Sequence, residues 1–403
     1  GSRAANGVVL VKTKSGGDIK TTVTYDAYYG WANIYKKPEL LDAKQYMEIY
    51  DEAQVNSGLK PVSWEKQLPK YIYDSIMNGK WNGTNWLEEI INKNAPTQSH
   101  SVNITGGSKK TTYSIGGSYF TEEGILGKDN QTNNLYERFT VRMNTSYVIW
   151  EKHDRSILTI GENLTFSKFK RPAFRQGNIY WNDLHNMLVT SPLLPMYDST
   201  GNYHKATTWN ADEVNPVALM EYNEKNNFNS NNNIVASGYV DFSPIEGLSI
   251  KSSYGINNWY GSWRQWIPSY ELGPKTISTR DQVTQGMYNG LSWVWTNTAT
   301  YNNRLDDLNY TVLLGNEMTK TSEDLSMQGH NENSLFNAPE YAYLENVPVI
   351  DPAYTTLTGR DNYGHAIMSY FGRLSLDYKE TYLFTAVLRA DGSSNFAKGH
   401  RWG

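Results

Sequence analysis

Apolar and polar residues alternate with a period of two along most of the chain. In the segment 135–150, for example, Phe139 and Met143 fall on one side, and Arg138 and Arg142 fall on the other. A period of two is the signature of a β-strand, because successive side chains point to opposite faces. Each such strand therefore presents one apolar face and one face suited to water or to a polar interior.

This pattern predicts eleven strands after a short opening strand over 8–14. The eleven predicted strands are 21–31, 100–107, 111–121, 135–150, 155–169, 233–242, 247–260, 290–301, 307–319, 366–378 and 381–391. Several of them exceed the usual strand length of about 5–6 residues. Their length suits strands that cross a membrane at a tilt, which need about 9–11 residues.

The predicted connections alternate between short and long. The long ones cover about 32–99, 122–134, 170–232, 261–289 and 320–365, and each short one has only a few residues. Tight turns at one end and long loops at the other are typical of outer-membrane barrels. The expected fold class is therefore all-β, a transmembrane antiparallel β-barrel. We also expect helices over 40–54 and 86–91, and a polar loop over 226–233.

Composition changes this picture in two respects. The chain holds 30 Tyr, 13 Trp and 11 Phe, and several lie near predicted strand ends, among them Trp150, Trp259 and Tyr378. Amphipathic rings at those places are expected to form girdles at the two membrane surfaces. The mean hydropathy of −0.62 does not argue against a barrel, because strands that alternate apolar and polar residues average to a low value.

Several classes of function are disfavoured by the same composition. There is no Cys, the net charge is −4, and no dense block of Lys or Arg occurs. These features argue against thiolate metal sites and against nucleic acid as the main partner. The seven His have no ligand spacing, and no hydrolase, metalloprotease or phosphate-loop motif is found. We expect no enzyme activity, no catalytic residue, no metal site and no cofactor.

Three segments resemble a known family of membrane proteins. Residues 1–16 (GSRAANGVVLVKTKSG), 102–125 (VNITGGSKKTTYSIGGSYFTEEGI) and 370–403 (YFGRLSLDYKETYLFTAVLRADGSSNFAKGHRWG) are similar, in this order, to the SusC/RagA family of TonB-dependent outer-membrane transporters. The resemblance implies a barrel of 22 strands, of which about 11 would be present here. It implies that residues 1–17 end a plug domain and that 18–403 form the N-terminal half of the barrel with its long extracellular loops.

The resemblance also implies a function. Members of this family import large nutrients across the outer membrane of Bacteroidota together with a SusD-like surface lipoprotein. Energy would reach the plug through TonB, whose contact site lies in an N-terminal part outside this chain. Oligosaccharides are the first expected substrate and oligopeptides the second. A siderophore or cobalamin receptor of the TonB-dependent type is a further alternative. From another class, the rival is a surface β-rich carbohydrate-binding protein.

Two groups of residues are candidates for sites. Aromatic platforms and amide or carboxylate groups in the loops suit sugar binding; these are Trp64, Trp81, Trp86, Trp181, Asn182, Asp183 and Trp209. The alternative is that the loop tryptophans pack within the loops or against a partner. A second group lies on the polar strand faces and would line the lumen, contacting the plug or an anionic substrate: Arg138, Arg142, Arg373, Arg389 and Asp391.

Overall fold

The computed structural model describes residues 16–128, 131–132, 134–171, 182–206, 213–347, 351–362 and 364–403. The predicted opening strand 8–14 and nearly all of the proposed plug segment 1–17 lie outside these residues. Trp181 and Trp209 also lie outside them. Between residues 16 and 403 the structure therefore tests the predicted strands and loops, but not the plug.

A single antiparallel sheet of twelve strands dominates the structure. Consecutive strands pair with one another from β1 to β14, except that β7 pairs with β10, and β11 pairs with both β12 and β13. A separate small ribbon is formed by β8 and β9. In chain order the strands are β1 (Thr22–Ala32), β2 (Ala95–Gly107), β3 (Thr111–Glu123), β4 (Leu135–Lys152), β5 (Arg155–Lys170), β6 (Phe228–Phe242), β7 (Leu248–Ile267), β8 (Tyr270–Gly273), β9 (Thr276–Ser278), β10 (Gln282–Leu305), β11 (Leu308–Glu332), β12 (Thr356–Asn362), β13 (His365–Tyr378) and β14 (Tyr382–Ser393).

All eleven predicted strands are present, but the predicted loops 261–289 and 320–365 were wrong in extent. Strands β7, β10 and β11 continue well into them, and β8, β9 and β12 lie within them. The predicted polar loop 226–233 was also wrong, because residues 228–233 belong to β6. In these extensions both faces carry polar residues, so the alternation fades although the backbone ladder continues. Hydrogen-bonded pairing, which the pattern cannot show, keeps these segments extended.

Register gives the sheet one apolar and one polar face. Met143, Leu164, Ala236, Ile256 and Trp293 are successive cross-strand neighbours on the apolar face. The polar face carries the arginines expected there. Neighbours in such rows lie close enough to pack, which is how a sheet is stabilised across its strands. We call this two-faced, twelve-stranded sheet the wall. It is the arrangement that the period of two predicted.

The apolar face also holds a few polar side chains, and these bond one another. The Thr145 hydroxyl donates to Glu162 Oε1 over 3.0 Å, and Asn297 Nδ2 donates to Asn316 Oδ1 over 3.0 Å. A polar group on a lipid-facing surface has no water to bond, so a protein partner lowers its cost. These pairs therefore let polar residues occupy the apolar face.

The short connections are tight reversals of the chain. The β4–β5 turn places His153 and Asp154 at φ 50° and 56°, and the β13–β14 turn places Lys379 and Glu380 at φ 53° and 51°. Two successive residues with positive φ match the twist of a two-residue β-hairpin. One end of the sheet is consequently closed by minimal turns, as the loop pattern predicted.

Among the described residues, six α-helices lie in the first and third long connections. These are α1 (Ala43–Asn56), α2 (Trp64–Gln67), α3 (Lys70–Met77), α4 (Trp86–Ile90), α5 (Asp183–Val189) and α6 (Pro216–Glu224). The sequence predicted α1 and α4; the other four were missed. Asp42 caps α1 in a capping box with Gln45, which satisfies amide groups that the first turn leaves free. No helix in the described residues is long and apolar enough to cross a membrane.

The six helices form one unit, which we call the helical cap (residues 33–94, 182–206 and 213–227). Its first apolar cluster joins α4, α5 and α6 through Trp86, Ile90, Met187 and Met220, and its second joins α1, α2 and α3. The segment 191–194 links the two clusters, since Leu194 belongs to the first and Leu193 to the second. The cap thus has a hydrophobic core of its own, separate from the wall.

Candidate functional site

A concave site of about 470 Å³ lies on the polar face of the wall. It is lined by Tyr136 and Arg138 of β4, Ser167 and Phe169 of β5, Arg171, Asn232 and Asn233 of β6, Trp259 of β7 and Tyr288 of β10. We call these residues the arginine–aromatic patch. The patch combines flat rings, amide groups and two positive charges within one surface.

Strand register explains why these side chains meet. Arg138 pairs with Phe169, Phe169 with Asn231, and Tyr288 with Gly261, so the row runs straight across β4 to β10. Side chains of one row share a face and lie side by side. The row therefore joins residues that are up to about 150 positions apart in sequence.

Glycines opposite the rings let them lie flat on the wall. Trp259 pairs with Gly290, and a Cβ at Gly290 would lie 2.2 Å from the indole ring. In the same way, a Cβ at Gly261 would lie 2.6 Å from the Tyr288 hydroxyl. Any side chain at either position would push the ring away from the strand. The two glycines thus expose broad ring faces to the interior instead of ring edges.

The two arginines of the patch are held by rings. The Arg138 guanidinium lies 5.9 Å from the Phe120 centroid, and that of Arg171 lies 5.2 Å from the Phe169 centroid. Neither forms an ion pair with a carboxylate in the described part of the chain. A cation over a ring is positioned without being neutralised. Both charges therefore remain available to an anionic group.

The remaining lumen candidates are arranged differently. Arg389 is enclosed by protein partners: its Nε donates to Asp391 over 2.8 Å, and its Nη2 donates to Glu317 over 3.2 Å and to Ser369 over 2.9 Å. Arg373 donates to Ser375 over 3.0 Å, and Arg142 is exposed on the same face. Their predicted roles as lumen or plug contacts stay predictions.

Two of the predicted loop tryptophans pack inside the helical cap. Trp86 is 1% exposed and its indole N–H donates to the Ser191 carbonyl over 2.9 Å. Trp64 is 6% exposed and donates to Asp51 over 2.9 Å. Because both rings are buried and both N–H groups are used, neither can offer a face to a ligand. Trp81 is half-buried against the second cluster.

The other predicted loop residues begin α5. The Asn182 side chain accepts from the His185 amide over 2.8 Å, which makes it the N-cap of that helix. Asp183 is buried in the first turn, where a carboxylate is favoured by the helix dipole. Both residues therefore have a local structural role in the cap.

A ladder of tyrosines runs along one side of the cap. Tyr197 stacks on Tyr203 at 5.3 Å, Tyr203 meets Tyr222 edge-on at 6.1 Å, and Tyr222 stacks on Tyr270 at 5.3 Å. Tyr203 donates to Glu221, and burial together with that carboxylate raises the pKa of Tyr203 well above its usual range. The hydroxyl consequently stays protonated and keeps its hydrogen bond.

The patch contains residues that the sequence interpretation missed or placed wrongly. Arg171 and Tyr288 were not singled out, and Trp259 was expected in a membrane girdle. Trp259 shares its parity along β7 with Lys251 and Asn257, so it lies on the polar face. The alternation along β7 could therefore have placed Trp259 on the polar face from the sequence alone. Among the described residues, no group of three or more His, Asp or Glu side chains is placed to hold a metal ion.

Comparison with known proteins gives relatives over the whole chain. It is 27% identical over 413 residues to TonB-dependent receptor P26 of Formosa agariphila and 26% identical over 426 residues to TonB-dependent receptor SusC of Bacteroides thetaiotaomicron. Each alignment covers 100% of this chain and 38% of the relative. The chain thus spans less than half the length of the curated relatives it matches. No family model matches it.

Solved structures agree on the fold. The RagAB peptide importer in its closed-closed state superposes with a TM-score of 0.80 at 21% identity, covering 100% of this chain and 45% of that one. The predicted fold class, all-β and of the transmembrane barrel type found in TonB-dependent receptors, is confirmed. The predicted resemblance to SusC/RagA TonB-dependent receptors is confirmed as well.

Proposed function

We propose that this chain forms part of a TonB-dependent importer in the outer membrane of a Gram-negative bacterium. Relatives that are TonB-dependent receptors over the full length of the chain support this proposal. A sheet with one apolar and one polar face supports it too, because such a sheet can face lipid on one side and a polar interior on the other. The polar face would then line the path of the nutrient.

The proposed substrate is an oligosaccharide that carries acidic groups. The observation that supports this most directly is the arginine–aromatic patch. There Trp259 and Tyr288 lie flat, and Arg138 and Arg171 have no carboxylate partner among the residues that the structure describes. Flat rings stack on the apolar faces of sugar rings, and guanidinium groups bind carboxylates or sulfates through paired N–H donors. Asn233 adds an amide that can bond hydroxyl groups.

A SusD-like lipoprotein is the proposed partner, and the helical cap is the proposed contact. Several large apolar side chains of the cap face solvent, namely Tyr35, Ile49, Leu59, Tyr71 and Met77. Exposed apolar and aromatic side chains in one region are characteristic of protein interfaces. A lid seated there would close the end of the barrel that bears the long connections.

Binding to the full-length transporter tests the substrate assignment. We would titrate an oligosaccharide rich in uronic acid, and the same oligosaccharide after reduction of its carboxyl groups. A charged hydrogen bond contributes about 1.5–3 kcal/mol, so the acidic form should bind about tenfold to a hundredfold more tightly. The double variant Arg138→Gln/Arg171→Gln should abolish that difference.

Arg304→Gln is the matched control for this experiment. Arg304 lies at the opposite end of β10, where its Nε donates to the Asp306 carbonyl over 2.7 Å. Its replacement should leave both affinities unchanged. Equal affinity for the two oligosaccharides in the unmodified transporter would contradict the proposal, and so would an unaffected double variant.

Oligopeptides are the second candidate substrate. The same two unpaired guanidinium groups would suit a peptide C-terminal carboxylate, and the fold resembles that of the RagAB peptide importer. Peptides with a free C-terminus and their amidated counterparts belong in the same titration. A preference for the free carboxylate without any binding of oligosaccharides would favour this candidate.

A further inference from the structure

A second cavity, of about 550 Å³, lies on the other face of the wall. Its walls are largely apolar and include Phe228, Met287, Met327, Leu344 and Leu357, and Arg264 reaches into it. We call it the Arg264 pocket. In the pairing of β6, β7 and β10, Arg264 stands opposite Phe228 and Gln285. Its face is therefore that of Ile250, Ile256 and Tyr260, the apolar face.

The guanidinium of Arg264 lies over an aromatic ring, but two of its nitrogens lack hydrogen-bond acceptors among the described residues. It lies 4.3 Å from the centroid of the Tyr343 ring. Its Nε and Nη1 are buried and have no hydrogen-bond partner among the described residues. Buried donors on a charged group are costly unless something accepts from them. The fork of this arginine therefore lacks an acceptor, and its rigid, planar geometry matches a phosphate or a carboxylate.

The roof of the pocket is fixed in place. The Leu344 amide donates to Gln285 Oε1 over 2.8 Å. Gly329 lies beneath the same residue, and a Cβ there would come within 2.7 Å of the Leu344 side chain. Trp266, Val283 and Ala342 form a small buried cluster against which Leu344 packs. The pocket is consequently a built cavity rather than a gap between loose segments.

Taking Tyr260 as an aromatic residue at the membrane surface of the apolar face places this pocket at the height of the lipid headgroups. Arg264 lies four residues beyond Tyr260 on β7. Four residues extend about 13 Å along a strand, which is about 10 Å of height for a strand tilted by about 40°. The apolar floor formed by Met287 and Met327 leads down towards Tyr260 and Leu325. A charged group at Arg264 would thus sit above acyl chains that follow the wall.

We propose that the Arg264 pocket binds a phosphorylated lipid of the outer leaflet, with the phosphate on Arg264 and an acyl chain along Met287 and Met327. An amphiphile explains both parts of the cavity, because its anionic head satisfies the free donors and its tail covers the apolar wall. This site is separate from the arginine–aromatic patch, which lies on the opposite face. It rests on the proposed membrane location of the wall but not on the substrate.

The test uses the purified full-length transporter in detergent and native mass spectrometry. Three probes are compared: lipid A, the same lipid after removal of its phosphates, and inorganic phosphate. We expect lipid A to bind about tenfold more tightly than the dephosphorylated lipid, and Arg264→Gln to remove that difference. Inorganic phosphate should not displace lipid A. Displacement by inorganic phosphate, or equal binding of the two lipids, would overturn the proposal.

Three further variants keep the result interpretable. Arg280 also lies over a ring, 3.7 Å from the Tyr354 centroid, but it does not line this pocket, so Arg280→Gln should retain the preference for lipid A. Arg264→Lys keeps the charge and loses the fork, and it should weaken binding of lipid A while the protein stays folded. Arg138→Gln/Arg171→Gln should leave lipid binding intact. Failure of the substrate proposal is therefore distinguishable from failure of this one.

Discussion

At the scale of single residues, glycine decides where the rings of the wall can lie. Among the described residues, five glycines on the polar face stand directly opposite an aromatic residue on the next strand: Gly161 and Tyr239, Gly261 and Tyr288, Gly286 and Trp263, Gly290 and Trp259, and Gly315 and Phe371. A ring that covers a cross-strand glycine shields the bare backbone and gains packing. The shape of the polar face therefore depends on cross-strand pairs of glycine and an aromatic residue, which cannot be recognised from either residue alone.

We expect Gly290→Val to tilt the Trp259 ring off the wall and to weaken ligand binding to the patch about tenfold. The reason is steric, because a Cβ at this position would lie 2.2 Å from the indole. Binding of the acidic oligosaccharide, together with the Trp fluorescence spectrum, measures the effect. Gly117→Val is the control, since a Cβ at Gly117 has nothing within 4 Å. If both variants bind normally, the ring does not contribute a platform.

At the scale of elements, the sequence predicted strands well and short helices poorly. Each wall strand is two-faced along its membrane-spanning part, so the period of two is strong there. Helices α2, α3, α5 and α6 have four to nine residues, which is too short for a clear helical period and marginal without tertiary support. Their support comes from clusters that join segments about 100 residues apart, and no local pattern shows that.

The candidate site was likewise predictable only in part from the sequence. The sequence placed Arg138 on the polar face from parity alone, and the same reasoning could have placed Trp259 there. It could not show that Arg171 and Tyr288 join them, because that depends on which residues pair across strands. It also could not separate buried tryptophans from exposed ones, since Trp64 and Trp86 are buried by the fold of the cap rather than by their neighbours in sequence.

We expect Trp86→Ala to loosen the helical cap without unfolding the wall. Trp86 lies at the centre of the cluster that joins α4, α5 and α6, and truncation of a buried Trp costs about 3–5 kcal/mol. Limited proteolysis should then cut within residues 33–94, while heat-modifiable migration on a gel should persist. Tyr35→Ala, at a fully exposed position, should change neither readout. Loss of heat-modifiable migration in Trp86→Ala would show that cap and wall share their stability.

At the scale of the whole molecule, the sheet divides its surroundings into lipid and lumen. Strands β1 and β14 are the two edges of the described sheet. Within a membrane each edge needs a partner for its backbone groups, because lipid supplies no hydrogen bonds. This agrees with alignments in which the chain covers 38% of its relatives. We propose, on these grounds, that the wall forms part of a larger barrel.

We expect Ile256→Arg to cost about 2–4 kcal/mol of folding free energy in a lipid bilayer. Ile256 lies on the apolar face between Ala236 and Trp293. Ser253→Arg is the matched control, because Ser253 lies on the polar face of the same strand, between Tyr239 and Thr296. Folding of the full-length protein into vesicles, followed by urea titration, measures both. Equal costs for the two variants would mean that the faces are not distinguished by lipid.

The divided core of the helical cap has a consequence for the order of assembly. Its two contributing connections are separated by β2, β3, β4 and β5, so the side chains that fill the first cluster emerge on both sides of four strands. Trp86 and Ile90 become buried only when Met187 and Met220 pack against them. If the strands insert in order, the cap cannot close until the fifth strand has crossed. Closure of the cap would then report that strands β1 to β5 are in place.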